Sequence, residues 1–268
     1  MATIKLKDGE QKIFFKAGCE WCYIWTPKSF KLNNKIPVVI HHHGAGGYVK
    51  RSGADWLDQK PKIVFLRAVM EGSGCAIAAS HACGDHWGNI RAVNANAALI
   101  RTLAMCPGLD TKRLGLMGGG MGGALVWNSV LGPLEGKVML VAVLQAVASL
   151  EAIIREQRFK KSCIKAYGLS KSIPDKKAIE MIQHCDPVSR LRRLGEKTRL
   201  PKTAIYHGAK DTNIPAATSA IPLAEALKKA GGEVELFIFS EREHDIYAMG
   251  EQMERLLGKF FSALLGII

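Results

Sequence analysis

Apolar and polar positions along the 268-residue chain form short blocks that predict strands interleaved with helices. Thr3 to Lys7, Lys12 to Lys16 and Glu20 to Trp25 have the length and composition of strands. Pro37 to His42 and Cys75 to Ser80 are near-continuous apolar runs, the pattern of parallel strands buried on both faces, with a helix around Ile63 to Met70 between them. Asn89 is placed to cap a further helix, whose apolar positions Ile90, Val93, Ala97, Ile100 and Ala104 recur near the helical period and which ends before Pro107-Gly108. Lys112 to Met117 reads as a strand, Gly122 to Leu131 as a buried helix and Lys137 to Leu144 as the next strand. From Ala146 to about Leu200 the pattern is helical, polar and irregular, with breakers at Pro174 and Pro187. A strand from Thr203, a helix over roughly Ser219 to Ala230 and a strand over Val234 to Ser240 follow. The C-terminal helix is expected to line its inner face with Met249, Met253, Leu256, Leu257, Phe260 and Leu264. The alternation predicts an α/β fold with a mostly parallel central sheet flanked by helices. With no repeats or low-complexity linkers, residues 1–268 read as one domain carrying an insertion at about 146–200.

Composition narrows the function classes. With 48% hydrophobic and 23% charged residues the chain reads as globular. The charged N-terminus lacks a secretory h-region, and Val138 to Leu150, interrupted by Gln145, is too short to span a bilayer. No membrane partner is expected, and the cytoplasm is the default compartment. Seven scattered cysteines agree with a reducing compartment. Cys19-Glu20-Trp21-Cys22 has redox spacing but no following helix and no second pair, so buried inert thiols are the better reading. The net charge of +13 raises nucleic acid, yet no nucleic-acid module signature accompanies it. Between Glu151 and Leu200 stand 13 Lys or Arg and 6 Asp or Glu, so more than half of the excess is local. A solvated helical face explains it, with attraction of an anionic substrate as the alternative.

The candidate chemistry centres on Met117-Gly118-Gly119-Gly120-Met121-Gly122-Gly123, between the predicted strand and the buried helix. A G-x-S-x-G elbow holds its serine on such a turn, and Gly120 stands in the serine's place. Several stretches resemble an esterase-type, bacterial-esterase-like serine hydrolase of the α/β-hydrolase superfamily. Ile36 to Gly47, containing His43-Gly44-Ala45-Gly46-Gly47, resembles the oxyanion loop after a central strand. Asp85-His86-Trp87-Gly88-Asn89 resembles the loop after the strand preceding the elbow. Thr203 to Pro215 resembles the strand and turn that carry the acid, and Val234 to Asp245 the last strand and histidine loop.

This resemblance implies an α/β-hydrolase fold with residues 146–200 as a helical lid. It implies a triad in the order Gly120 (the serine position), Asp211 and His244, with oxyanion donors from Met121 and from Ala45 or its neighbours Gly44 and Gly46. Trp87 is expected either to wall the substrate pocket or to pack in the core. No cofactor or metal is implied: His41 and His43 alternate with His42 along a strand, so they and His81, Cys83, Asp85 and His86 form no ready-made cluster. The expected activity is carboxylic ester hydrolysis of a small molecule, with thioesters, lactones and amides open, and the chain as it stands nearly inert. Gly120 itself leaves three readings. The chain is a hydrolase with its serine deliberately replaced, or the glycine is native in a non-catalytic binding protein, or it is native in a protein whose His-Asp pair activates water or drives a lyase step.

Overall fold

The computed structural model describes residues 4–195, 198–249 and 251–266, apart from the side chains at 251, 253 and 254. Its strands are β1 (Gln11–Ala17), β2 (Glu20–Thr26), β3 (Ile36–His42), β4 (Ala76–Ser80), β5 (Leu109–Gly119), β6 (Val138–Leu144), β7 (Lys202–Gly208) and β8 (Val234–Phe239). They form one sheet in the order β1-β2-β4-β3-β5-β6-β7-β8. β1 and β2 pair antiparallel, as do β2 and β4, and every pairing from β4 to β8 is parallel. This is the α/β-hydrolase fold.

The helices are α1 (Asp55–Asp58), α2 (Lys60–Ser73), α3 (Ile90–Leu103), α4 (Gly122–Val130), α5 (Leu150–Arg155), α6 (Lys160–Ala166), α7 (Asp175–Ile182), α8 (Pro187–Leu191), α9 (Ala220–Lys229) and α10 (Glu251–Ser262). Side-chain alternation divides the core between the two faces of the sheet. Val38, Ile40, Leu116, Val141 and Val143 pack with Leu99 and Leu103 of α3, Trp127 of α4 and Leu223 of α9. Val39, Met117, Leu140 and Ala142 point the other way, onto Phe65 and Val69 of α2 and Leu257 and Phe261 of α10. Both faces are covered, so the central strands are apolar throughout.

Four expectations need correction. Residues 4–7 form no strand: Ile4 and Leu6 are buried, but their backbone joins no ladder among the described residues, and Thr3 lies outside the described residues. In α3 Val93 and Ala97 are buried and Ile100 packs on the core as expected, together with Ala92, Asn96, Leu99 and Leu103, but Ile90 is 64% exposed and Ala104 follows the helix. Asn89 does cap it, its side chain accepting the Ala92 N–H at 3.0 Å. At the C-terminus Leu256, Leu257, Phe260 and Leu264 face the core as expected, but Phe261, not expected there, is fully buried; Met249, which also packs on the core, sits in a preceding 3-10 turn, and the Met253 side chain lies outside the described residues.

The insertion between β6 and β7 holds α5 to α8, and its Ile153, Ile154, Ile164, Ile179 and Ile182 share one apolar cluster with Trp87, Met121, Ala124 and Ile214 of the sheet domain. The last correction concerns its placement, since only part of it lies over the cavity described below. Its second half packs elsewhere, α8 lying against α4 and α9. Asp186 ties the two ends of the insertion together: its buried carboxylate accepts the Leu150 and Glu151 N–H groups at 2.5 and 3.2 Å and the Ser189 N–H at 2.7 Å. One carboxylate thus satisfies the orphan donors at the starts of both α5 and α8. No described helix is long and apolar enough to cross a membrane.

Candidate active site

β5 ends at Gly119 and α4 starts at Gly122, so the chain reverses over Gly120 and Met121. Gly120 has φ +51°, a left-handed conformation that costs other residues roughly 1–2 kcal/mol. Its carbonyl accepts the Val147 N–H at 2.8 Å, and its N–H donates to Leu144 O at 3.2 Å. The flanking glycines are required by close approach. A Cβ at Gly122 would overlap the His42 carbonyl, and one at Gly123 would overlap the Ala146 side chain. At Gly120 the opposite holds. The nearest atoms to a Cβ there are Gly44 Cα at 3.7 Å and His244 Nε2 at 3.8 Å.

His244 and Asp211, on loops after β8 and β7, meet through a 2.7 Å contact between His244 Nδ1 and Asp211 Oδ2. The carboxylate can only accept, so Nδ1 carries the proton and Nε2 faces Gly120 with its lone pair. Asp211 Oδ1 accepts the Asn213 and Ile214 N–H groups at 2.9 and 3.0 Å. Burial opposes ionisation of Asp211, but hydrogen bonds from His207, His244 and Ile214 outweigh it and hold the carboxyl well below its usual range. Asp245, adjacent to the histidine in sequence, contacts Arg242 instead, at 3.6 Å.

A cavity of about 290 Å³ opens beside these groups. Gly44, Ala45, Gly120, Met121, Trp87 and His244 all line it. The N–H groups of Ala45 and Met121 have no acceptor among the described residues. Gly46 must be corrected: it is not in the lining, and its N–H is taken by Asp85 Oδ1 at 2.7 Å, leaving no donor for a ligand. Trp87 is buried, its Nε1–H donates to Ser162 Oγ at 2.9 Å, and its ring lies 5.7 Å from that of Phe159. Phe159, just ahead of α6, is the single described residue of the insertion in the cavity wall.

The histidine run splits as alternation requires. His41 packs on Trp56, ring centroids 4.3 Å apart, while His42 Nε2 lies 3.5 Å from Asn96 Nδ2 on the other face. Among the described residues no group of His, Cys, Asp and Glu could hold a metal ion. Cys19 is exposed and Cys22 buried, and burial pushes the Cys22 thiol up to about 11, which leaves it a poor nucleophile.

Three contributors were not picked out from the sequence. His207 is fully buried behind Asp211, with Nε2 donating to Ile214 O at 2.7 Å and lying 3.4 Å from Asp211 Oδ2. Gln145, also with positive φ, clamps the histidine loop: Nε2–H donates to Glu243 O at 2.7 Å and Oε1 accepts the Ile246 N–H at 2.9 Å. Lys62 and Asp55 form an ion pair within the cavity lining. Only Gln145 left a sequence signal, as the one polar interruption of an apolar run.

Comparison with known proteins bears on the family and the fold. The model of the prolyl oligopeptidase family matches residues 86–266. No curated protein matches the chain in sequence. Among solved structures it is similar to dipeptidyl peptidase 4 of Porphyromonas gingivalis, with TM-score 0.69 and 14% identity over 98% of this chain and 36% of that one. It is also similar to oligopeptidase B of Leishmania major, with TM-score 0.70 and 12% identity over 96% of this chain and 36% of that one. Prolyl oligopeptidase B of Galerina marginata gives TM-score 0.68 and 16% identity over 96% of this chain and 37% of that one. The chain therefore spans little more than a third of the length of these structures.

Proposed function

Since the chain belongs to the prolyl oligopeptidase family, a family of serine hydrolases on the α/β-hydrolase fold, we propose that its site is an acyl-transfer site complete except for the nucleophile oxygen at position 120. Asp211 holds His244 in the Nδ1–H tautomer, His244 Nε2 is the base, and the Ala45 and Met121 N–H groups are the donors for a developing oxyanion. Such donors are worth roughly 3 kcal/mol each in related chemistry. The single observation that carries this reading is the 3.8 Å from a Gly120 Cβ to His244 Nε2, which brings a serine Oγ at that position within hydrogen-bond reach of the base.

The substrate proposed is a small carboxylic ester, held against Trp87 and Phe159, in a cavity at the low end of the usual size for small-molecule sites. Peptide amides are the alternative that the family raises. The segment around Phe159 and Ser162 is proposed as the part of the 146–200 insertion that acts as lid. Without a nucleophile oxygen the chain binds acyl compounds, and binding plus the oxyanion donors leave a residual rate of order 10³ to 10⁴ over water.

The test is turnover of activated esters and peptide anilides by the chain as it stands, by Gly120→Ser and by Gly120→Ser with His244→Ala. Ester turnover only in Gly120→Ser supports the proposal. A folded Gly120→Ser that hydrolyses neither class favours a binding role. His244-dependent turnover by the unaltered chain favours direct activation of water.

A further inference from the structure

One end of the cavity beside Gly120 is charged. Among the described lining residues Lys62, on α2, is the only Lys or Arg, and Asp55, on α1, the only carboxylate. Lys62 Nζ lies 3.3 Å from Asp55 Oδ2, and the two side chains are only 20% and 7% exposed. A desolvated pair of this kind seldom adds stability over a well-packed apolar pair. Its position in the wall of a functional cavity calls for another explanation.

Counting donors and acceptors gives one. Asp55 is engaged at both oxygens: Oδ2 faces Lys62, and Oδ1 accepts the Tyr48 N–H at 3.4 Å. The Lys62 ammonium has three N–H groups, and Asp55 is its one hydrogen-bond acceptor among the described residues. Its other neighbour is the face of Trp56, 5.6 Å away, which accepts no conventional hydrogen bond. Tyr247, stacked edge-on to Trp56 at 5.9 Å, also lines the cavity, and its hydroxyl has no partner among the described residues. At this end the Lys62 ammonium has N–H groups without an acceptor among the described residues, and the Tyr247 hydroxyl has an O–H free to donate. Among its described residues the basic insertion does not compete for this role, since Phe159 alone of them lines the cavity.

We propose that Lys62, assisted by the Tyr247 hydroxyl, is the specificity anchor of the site and binds a free carboxylate on the substrate. The substrate class is then an ester of a dicarboxylic acid: one carboxyl is esterified and reaches the Ala45 and Met121 donors, and the other is ionised and sits on Lys62. This rests on the acyl-site reading above and adds the chemistry of the substrate's far end. Lys62 touches the bound substrate but takes no part in bond making.

The experiment needs no catalysis. Binding of monoethyl glutarate and of diethyl glutarate to the chain as it stands, at low salt, is measured by calorimetry, together with Lys62→Met and Lys62→Arg. A charged hydrogen bond in a partly buried site predicts the half-ester to bind roughly tenfold to a hundredfold tighter than the diester. Lys62→Met is expected to erase that preference while leaving diester affinity in place, which also shows that the variant is folded, and Lys62→Arg to retain most of it. Equal binding of the two ligands, or a preference that survives Lys62→Met, overturns the anchor and leaves the acyl site standing. If neither ligand binds, the acyl-site reading fails and the anchor with it.

Discussion

Gln145→Leu is expected to loosen the histidine loop at a cost that can be worked from its contacts. Gln145 is 3% exposed and holds the backbone on both sides of His244, through Glu243 O and the Ile246 N–H. Leucine fills similar volume but leaves a buried carbonyl and a buried N–H without partners, each costing about 1–3 kcal/mol. Allowing for partial hydration of a loop, the sum is about 3 kcal/mol, or a fall in Tm of about 6–12 °C for a domain of this size. The left-handed backbone at this residue provides an internal control. Gln145→Gly loses the same hydrogen bonds and, although it relieves about 1 kcal/mol of backbone strain, it empties the buried volume that leucine fills, so it is expected to be the more severe change. Urea unfolding gives the stabilities, and ester turnover in the Gly120→Ser background gives the effect on His244, where displacement of the ring by about 1 Å costs on the order of 100-fold. A change in stability below about 0.5 kcal/mol with unaltered turnover would refute the clamp.

Other outcomes follow from the same geometry. Gly122→Ala drives a Cβ into the His42 carbonyl and is expected to cost about 3 kcal/mol or more, whereas Gly120→Ala meets nothing closer than 3.7 Å and should cost only about 1–2 kcal/mol for its left-handed backbone; denaturant midpoints of the two variants decide this. Burial lowers the imidazoles of His41, His42 and His86 below the usual 6.5, His42 to about 3. The unfolded chain then takes up protons that the native state does not, so stability is full above about pH 6.5 and erodes as pH falls below it. Unfolding at pH 7 and pH 5 measures this, and a flat profile contradicts it. Asp211, also lowered, adds stability present above its ordinary value of about 3.9 and lost as pH falls below it. Asp211→Asn should flatten that acid limb and, in the Gly120→Ser background, reduce ester turnover by on the order of 10⁴.

Residues whose work is local were legible in the sequence; those whose work is long-range were not. Gly120, Asp211 and His244 sit on turns directly after apolar strands, where an open α/β sheet gathers its ligand groups, and the glycines around the elbow announce a close backbone approach. Ala45 and Met121 followed from the same turns. Gly46 did not, because the acceptor that takes its N–H, Asp85, comes from another loop. Gln145 reaches partners about a hundred residues away, and Lys62 stood just ahead of the helix expected from Ile63, with nothing to mark it out. The α3 stripe was right at Val93, Ala97 and Ile100 but wrong at its start, because the small residues Ala92 and Asn96, rather than the bulky Ile90, pack inward there. Ile90 and its neighbour Arg91 line a separate surface cleft.

The most direct test of a site lacking only its nucleophile oxygen is covalent labelling by an activated alkyl fluorophosphonate, read by intact mass. Gly120→Ser should gain one phosphonyl group, with the added mass on residue 120, while the unaltered chain gains none. Gly120→Ser combined with His244→Ala should label far more slowly. Folded Gly120→Ser protein that stays unlabelled, or that labels equally fast without His244, would contradict the arrangement of Gly120, His244 and Asp211 as the frame of a serine triad.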